Sequence, residues 1–237
     1  MCYARGDFDR VRAELREARA VIPDVGATDL VAVCDLMQGH VERFAGNFGA
    51  ARERFDASLK GFESLASPWG IGYALSVMGW LALAAGDENE AERLVDKAAS
   101  ALSGACPWFG TLALYIRAIV AVRHRKPDAA IGFVRESLAL IRRVHDKFAF
   151  VHIMVPLAAA AILKGDDALA ARILGARDAV AERSGARVAD SLAHDLLELV
   201  EREGRPRLGA DRWAQAYASG RRASIDSLLS DIETATI

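Results

Sequence analysis

The chain has 237 residues and a formal net charge of −2, and it is 52% hydrophobic and 26% charged. These proportions belong to a folded chain with an ordinary core. They argue against a generally basic surface for nucleic acid. The basic clusters Arg123 to Lys126 and Arg221-Arg222 are short and fall at helix ends or in loops, where solvated cations are favoured. Cys2, Cys34 and Cys106 are far apart and lack metal-ligand spacing, which points to a reduced, cytoplasmic setting. The first twenty residues are charged from Arg5 onward and hold no apolar targeting segment. The apolar run from Phe148 to Leu163 is interrupted by His152 and Pro156. It falls short of the roughly 20 residues a membrane span needs.

Taken in order, the chain repeats one device. Gly6, Gly46 and Gly86 stand 40 residues apart, Arg125 follows 39 residues later, and Gly165 another 40 later. Each is followed by a turn residue and then an Ala-containing helical stretch. A fixed period of this size is the signature of stacked helical hairpins. The first helix is expected over 9–22, with Val11, Leu15, Ala18 and Ile22 on a single face. Thr28 can cap the second, which ends at Ala45. Gly46 then supplies a left-handed stop and Asn47 caps helix 49–65. Ser67-Pro68 starts the next helix, with proline where its missing N–H costs nothing. Asp87 with Glu90 forms a capping box before helix 88–102. Pro107 opens a helix ending near Arg123. Asp128, Asp146 and Asp166 open helices 128–144, 147–164 and 167–184, with a kink expected at Pro156. Beyond these, 188–203 is amphipathic, 203–209 reads as a loop, and 210–219 and 224–232 as short helices. The expected division is 1–185 for the repeats and 186–237 for a helical cap.

The register within the repeats carries the packing. Seven residues before the turns stand Gly39, Gly79, Ala118 and Ala158. Five after stand Ala51, Ala91, Ala130 and Ala170, with Val11 in the first repeat. Nine after stand the large residues Leu15, Phe55, Val95, Val134 and Leu174. Twelve after stand Ala18, Ser58, Ala98 and Ser137, and the fifth repeat departs with Arg177. Small residues at such places let helices approach to about 8–10 Å. The fold expected is therefore all-α: a superhelical array of antiparallel helix hairpins with a C-terminal helical cap.

These small-residue positions and Gly-Asp/Asn turns resemble tetratricopeptide repeats, with a period near 40 in place of the usual 34 or so. Longer helices of this kind are similar to the repeats of bacterial signal-transduction ATPases, namely the large LuxR-type and maltose-regulator-type transcription factors, and of related adenylate cyclases. The stretches 168–185, with Leu174-Gly175-Ala176, and 211–229, with Trp213 and Ser219-Gly220, resemble the end of such regulators' sensor arrays. The resemblance covers nearly the whole chain. It implies a sensor or interaction module whose partner is a protein, a peptide or a small inducer on the concave face.

Catalytic motifs do not stand out. There is no phosphate-binding Gly-x-x-x-x-Gly-Lys-Ser/Thr run. His40, His124, His145, His152 and His194 include no pair at helical metal-ligand spacing with a carboxylate. His194 with Asp190 and Asp195 reads as a polar helix face, and no serine or cysteine sits in a nucleophile elbow. Neither an enzymatic role nor a cofactor is expected.

The candidate site is an aromatic stripe on the first helix of each hairpin. It comprises Trp69, Tyr73, Trp80, Trp108, Tyr115, Phe148 and His152, joined by Arg117 in an otherwise apolar run. Two placements fit. The rings can line a groove for an amphipathic ligand or peptide, or they can be core between hairpins. Trp69 and Trp108, just after prolines at helix starts, are the members expected to be more exposed. Arg117 is either a snorkelling solvent residue or a charge in the groove. A second candidate is the edge formed by Val11, Leu15 and Ile22, which would face a missing upstream neighbour and support a homodimer. The function expected is a non-catalytic sensor or interaction part of a transcriptional regulator. The alternative is a stand-alone scaffold or adaptor without an ATPase or DNA-binding output.

Overall fold

The structure, a computed structural model, describes residues 8–25, 29–102, 110–144, 146–185 and 190–224. The expected Thr28 cap, the Pro107 helix start, Trp108 and the helix 224–232 lie wholly or almost wholly outside these residues. Among the described residues the fold is all-helical. In chain order the helices are α1 (Phe8–Val25), α2 (Asp29–Phe44), α3 (Phe48–Ser64), α4 (Pro68–Ala84), α5 (Glu88–Leu102), α6 (Gly110–Arg123), α7 (Pro127–Val144), α8 (Lys147–Leu163) and α9 (Asp167–Ser184). They are followed by α10 (Ser191–Leu199), a π-helical turn (Val200–Gly204), α11 (Arg205–Leu208) and α12 (Ala210–Arg222). The helices pack in consecutive pairs, among them α2 with α3, α4 with α5 and α8 with α9, and α12 packs as closely on α9. The chain divides into two compact units, Met1–Ile116 and Arg117–Ile237.

Five turns share one geometry. Gly46, Ala66, Gly86, Arg125 and Gly165 take φ of 82°, 48°, 85°, 54° and 81°. In each, the next residue's N–H donates to the carbonyl five residues back: Asn47 to Glu42, Ser67 to Phe62, Asp87 to Ala82, Lys126 to Ala121 and Asp166 to Ala161, all within 2.8–3.0 Å. That bond satisfies a carbonyl the helix end would leave open, and it needs one residue in the left-handed region. Glycine enters that region without a Cβ clash, whereas Ala66 and Arg125 are held there at a steric cost.

Capping at the helix starts is less uniform. Asp146 accepts from the N–H groups of Phe148 and Ala149, and Asp166 accepts from that of Leu169. Asp87 Oδ1 accepts the Glu90 N–H at 3.0 Å, the Asp half of the expected box. The Glu90 carboxylate turns instead to Arg93, at 2.6 Å on both oxygens. Asn47 and Ser67 make no side-chain cap. The Asn47 amide donates to Glu42 instead, and Pro68 already occupies the first turn of α4.

The small and large positions meet as the register requires. Ala51, Ala91, Ala130 and Ala170 are fully buried, as are Phe55, Val95 and Val134. A methyl added at Gly39 would run into the Phe55 ring, and one at Gly79 would come within 3.1 Å of Val95. The residue seven before the turn therefore packs on the one nine after it. Ser58 is buried in the same seam, and its hydroxyl donates to the Ala32 carbonyl at 2.8 Å.

Two expectations are corrected. The stretch 203–209 is not an open loop: it completes a π-helical turn and forms α11. Gly204 lies so close to Ile162 that a Cβ there would have to displace the tip of its side chain, and Pro206 falls in the first turn of α11, where proline is tolerated. Arg207 anchors α11 by a two-pronged pair with the buried Asp167 and a bond to the Ile162 carbonyl at 2.8 Å. Secondly, α12 extends to Arg222, past the expected end at Ser219. At the start of the described residues α1 packs on α2, with Val11 and Ile22 buried and Leu15 half-buried. Two ion pairs hold it: Arg12 with Glu42 at 2.8 Å, and Arg19 with the buried Asp35 at 2.6 Å, an acceptor that Arg54 of α3 also reaches.

Ala91→Leu forces three extra carbons into a fully closed contact of α4 with α5. It should cost about 1–3 kcal/mol, while Glu92→Gln on the exposed face should leave the melting temperature unchanged. Differential scanning calorimetry of the two variants checks the register, and equal melting points would contradict it.

Candidate functional site

The aromatic residues of α2, α3 and α4 converge within the first unit. The His40 ring lies 5.3 Å from that of Phe55, edge-on, 5.6 Å from that of Tyr73 and 6.4 Å from that of Phe44. Nearby, the Arg43 guanidinium stacks on Phe44 at 4.2 Å and on Trp80 at 4.5 Å. Phe48 meets Trp80 edge-on at 5.8 Å. A cation sandwiched between two aromatic faces is attracted by both ring quadrupoles. Trp69 packs edge-on against Phe62 at 4.9 Å.

Helical geometry explains this convergence. Tyr73 and Trp80 are seven residues apart and share a face of α4, and His40 and Phe44 are one turn apart on α2. The small residues that bring α2, α3 and α4 close also bring these rings together. The cluster divides by depth. Trp80 is 2% exposed and Tyr115 3%, so both belong to the core. Trp69 and Tyr73 are half-buried and keep an accessible edge. The sequence placed His40 on the same face as the stripe, but neither the depth of each ring nor the part played by Phe44 and Arg43 was legible in it. Their signal is a polar or cationic residue at aromatic spacing beside the stripe.

In the second unit, Phe148 is 37% exposed and packs on the His152 ring at 4.3 Å, with His152 Nδ1 2.9 Å from the Phe148 carbonyl. Arg117 is half-buried with its guanidinium 5.8 Å from the Phe133 ring. The snorkelling and groove placements expected of it thus share one feature, a cation laid along an aromatic face.

His40 is 7% exposed, and its Nε2 finds no hydrogen-bond partner among the described residues. Burial first, and then the charge of Arg43, push its pKa down to about 3. The ring is a neutral aromatic member of the cluster at ordinary pH. Among the described residues no group of three His, Cys, Asp or Glu is placed to hold a metal ion, and no helix is long and apolar enough to cross a membrane. No family model matches the chain, and neither a curated protein nor a solved structure matches it.

The His40 shift sets a pH dependence. The folded-state value lies below the ordinary 6.5, so between these two values the unfolded chain binds the extra proton. Stability conferred by this site is complete above the ordinary value and falls as pH drops toward 3. At about pH 5 the loss is about 2 kcal/mol. Urea unfolding of wild type and His40→Leu at about pH 7 and about pH 5 should show the wild type losing about that much more than the variant. Parallel losses in the two proteins would place His40 outside the titrating set.

Proposed function

We propose that this chain is a non-catalytic binding module, the sensor or interaction part of a bacterial transcriptional regulator of the LuxR-type, maltose-regulator-like kind. The observation that supports this reading is the regular hairpin register. Turns at Gly46, Gly86, Arg125 and Gly165 repeat one hydrogen-bond pattern, and repeat arrays of this kind work by presenting extended binding surfaces. In the first unit the half-buried edges of Trp69 and Tyr73 supply flat amphipathic contacts suited to a peptide side chain or a small ring-containing inducer, and in the second unit Phe148 and His152 form an aromatic pair of the same kind. Such a module recognises its ligand and passes the binding energy to an output domain by favouring one arrangement of its helices. Cytoplasmic location and the absence of direct contact with nucleic acid belong to the same reading.

Tryptophan fluorescence tests the surface. In single-tryptophan variants, Trp69 should be quenched by acrylamide and should shift its emission when a peptide library pool or inducer binds, while Trp80 should be shielded. A Trp69 as fully shielded as Trp80 would return the stripe to the core and remove the proposed contact surface.

A further inference from the structure

The last two turns of α12 are fastened to α9 by close backbone approach and a row of polar contacts. Most of α12 faces solvent, and among its residues only Trp213 and Gly220 are buried. Trp213 lies at the start of the helix, close to Gly204 of the π-helical turn. Beyond it, no large apolar side chain is buried.

Two features take the place of apolar packing. The first is a backbone notch. A Cβ at Gly175 of α9 would strike the Tyr217 carbonyl, and a Cβ at Gly220 would strike the Arg172 carbonyl. The two helix backbones therefore touch through a pair of glycines. The second is a polar row. The Tyr217 hydroxyl donates to Asp178 Oδ2 at 2.7 Å, Arg177 donates to the other oxygen of Asp178 at 2.9 Å, and Arg221 makes a two-pronged pair with Glu182 at 2.9 and 2.6 Å. Glu182 is 63% exposed as a side chain, so salt weakens this pair. The neighbouring α11 differs. Its Arg207 grips Asp167, whose side chain is only 10% exposed, and such a pair is screened far less.

We infer that residues 216–222 of α12 form a reversible clasp on α9, closed by the Glu182–Arg221 pair and opened by screening, while Trp213 and α11 stay in place. A segment this short has no independent helical stability in water, so losing the polar row loses the contact. Opening bares Gly175 and the notch beside it.

Amide hydrogen exchange on the full chain reads the clasp directly. Between about 0.01 M and about 1 M salt the screening length falls from about 30 Å to about 3 Å. Over that range amides 217–222 should exchange roughly tenfold faster or more, with α8 and α9 changing less than about twofold. Glu182→Arg should open the clasp at low salt, and adding Arg221→Glu should close it again. Gly220→Leu, which cannot fit against the Arg172 carbonyl, should leave 217–222 unprotected and the α8–α9 hairpin intact. The inference is overturned by salt-independent exchange in 217–222, by failure of the charge swap to restore protection, or by loss of protection in α8 and α9 together with α12.

Discussion

One left-handed residue per turn is the constraint on which the hairpins depend. A helix that stops leaves carbonyls without donors. At residues 46, 66, 86, 125 and 165 the chain closes one of them with a bond five residues back, and the geometry of that bond sends the next helix back along the previous one. The turn has the same form whether the residue is Gly46 or Arg125. The conformation is thus imposed by the packing of the two helices and not merely permitted by glycine. The α3–α4 connection at Ala66 shows the same thing between hairpins, where the sequence offered only Ser67-Pro68 as a signal.

Once the turn sets direction, the small residues set distance. Gly39 and Gly79 admit Phe55 and Val95, and the fully buried alanines at 51, 91, 130 and 170 keep the first turn of each second helix close to its partner. The same positions in α9 carry a different load at their far end. Arg177 stands where earlier repeats have Ser58, Ala98 and Ser137. Its guanidinium pairs with Asp178, the residue that receives Tyr217. The departure from the small-residue pattern thus falls at the place where α12 attaches.

The fold was legible in the sequence because its determinants are local. Turn residues, capping aspartates such as Asp146 and Asp166, and a fixed spacing of small side chains all act within one or two helical turns. What was not legible depends on partners distant in sequence. Asn47 has the chemistry of a cap, yet Glu42 competes successfully for its amide. Residues 203–209 have a loop composition, yet Arg207 is drawn into helical geometry by Asp167, forty residues away. The stripe shows the same limit. Trp69 and Trp80 lie on one helix, and only the neighbouring helices decide that the first keeps an edge in solvent and the second does not.

Distant partners also fasten helices beside two of the tight turns. At the start, α1 brings Arg12 to Glu42, whose carboxylate also receives Asn47 beside the Gly46 turn. These hydrogen bonds from Arg12 and then Asn47 hold Glu42 below the usual carboxylate range. Near the other end, α11 brings Arg207 to Asp167 and to the Ile162 carbonyl, on either side of the Gly165 turn. In both places an arginine from a flanking helix pairs with a carboxylate beside a tight turn. A guanidinium makes such directed hydrogen bonds with no apolar surface of its own, which is how a helix as short and polar as α11 holds to the α8–α9 hairpin.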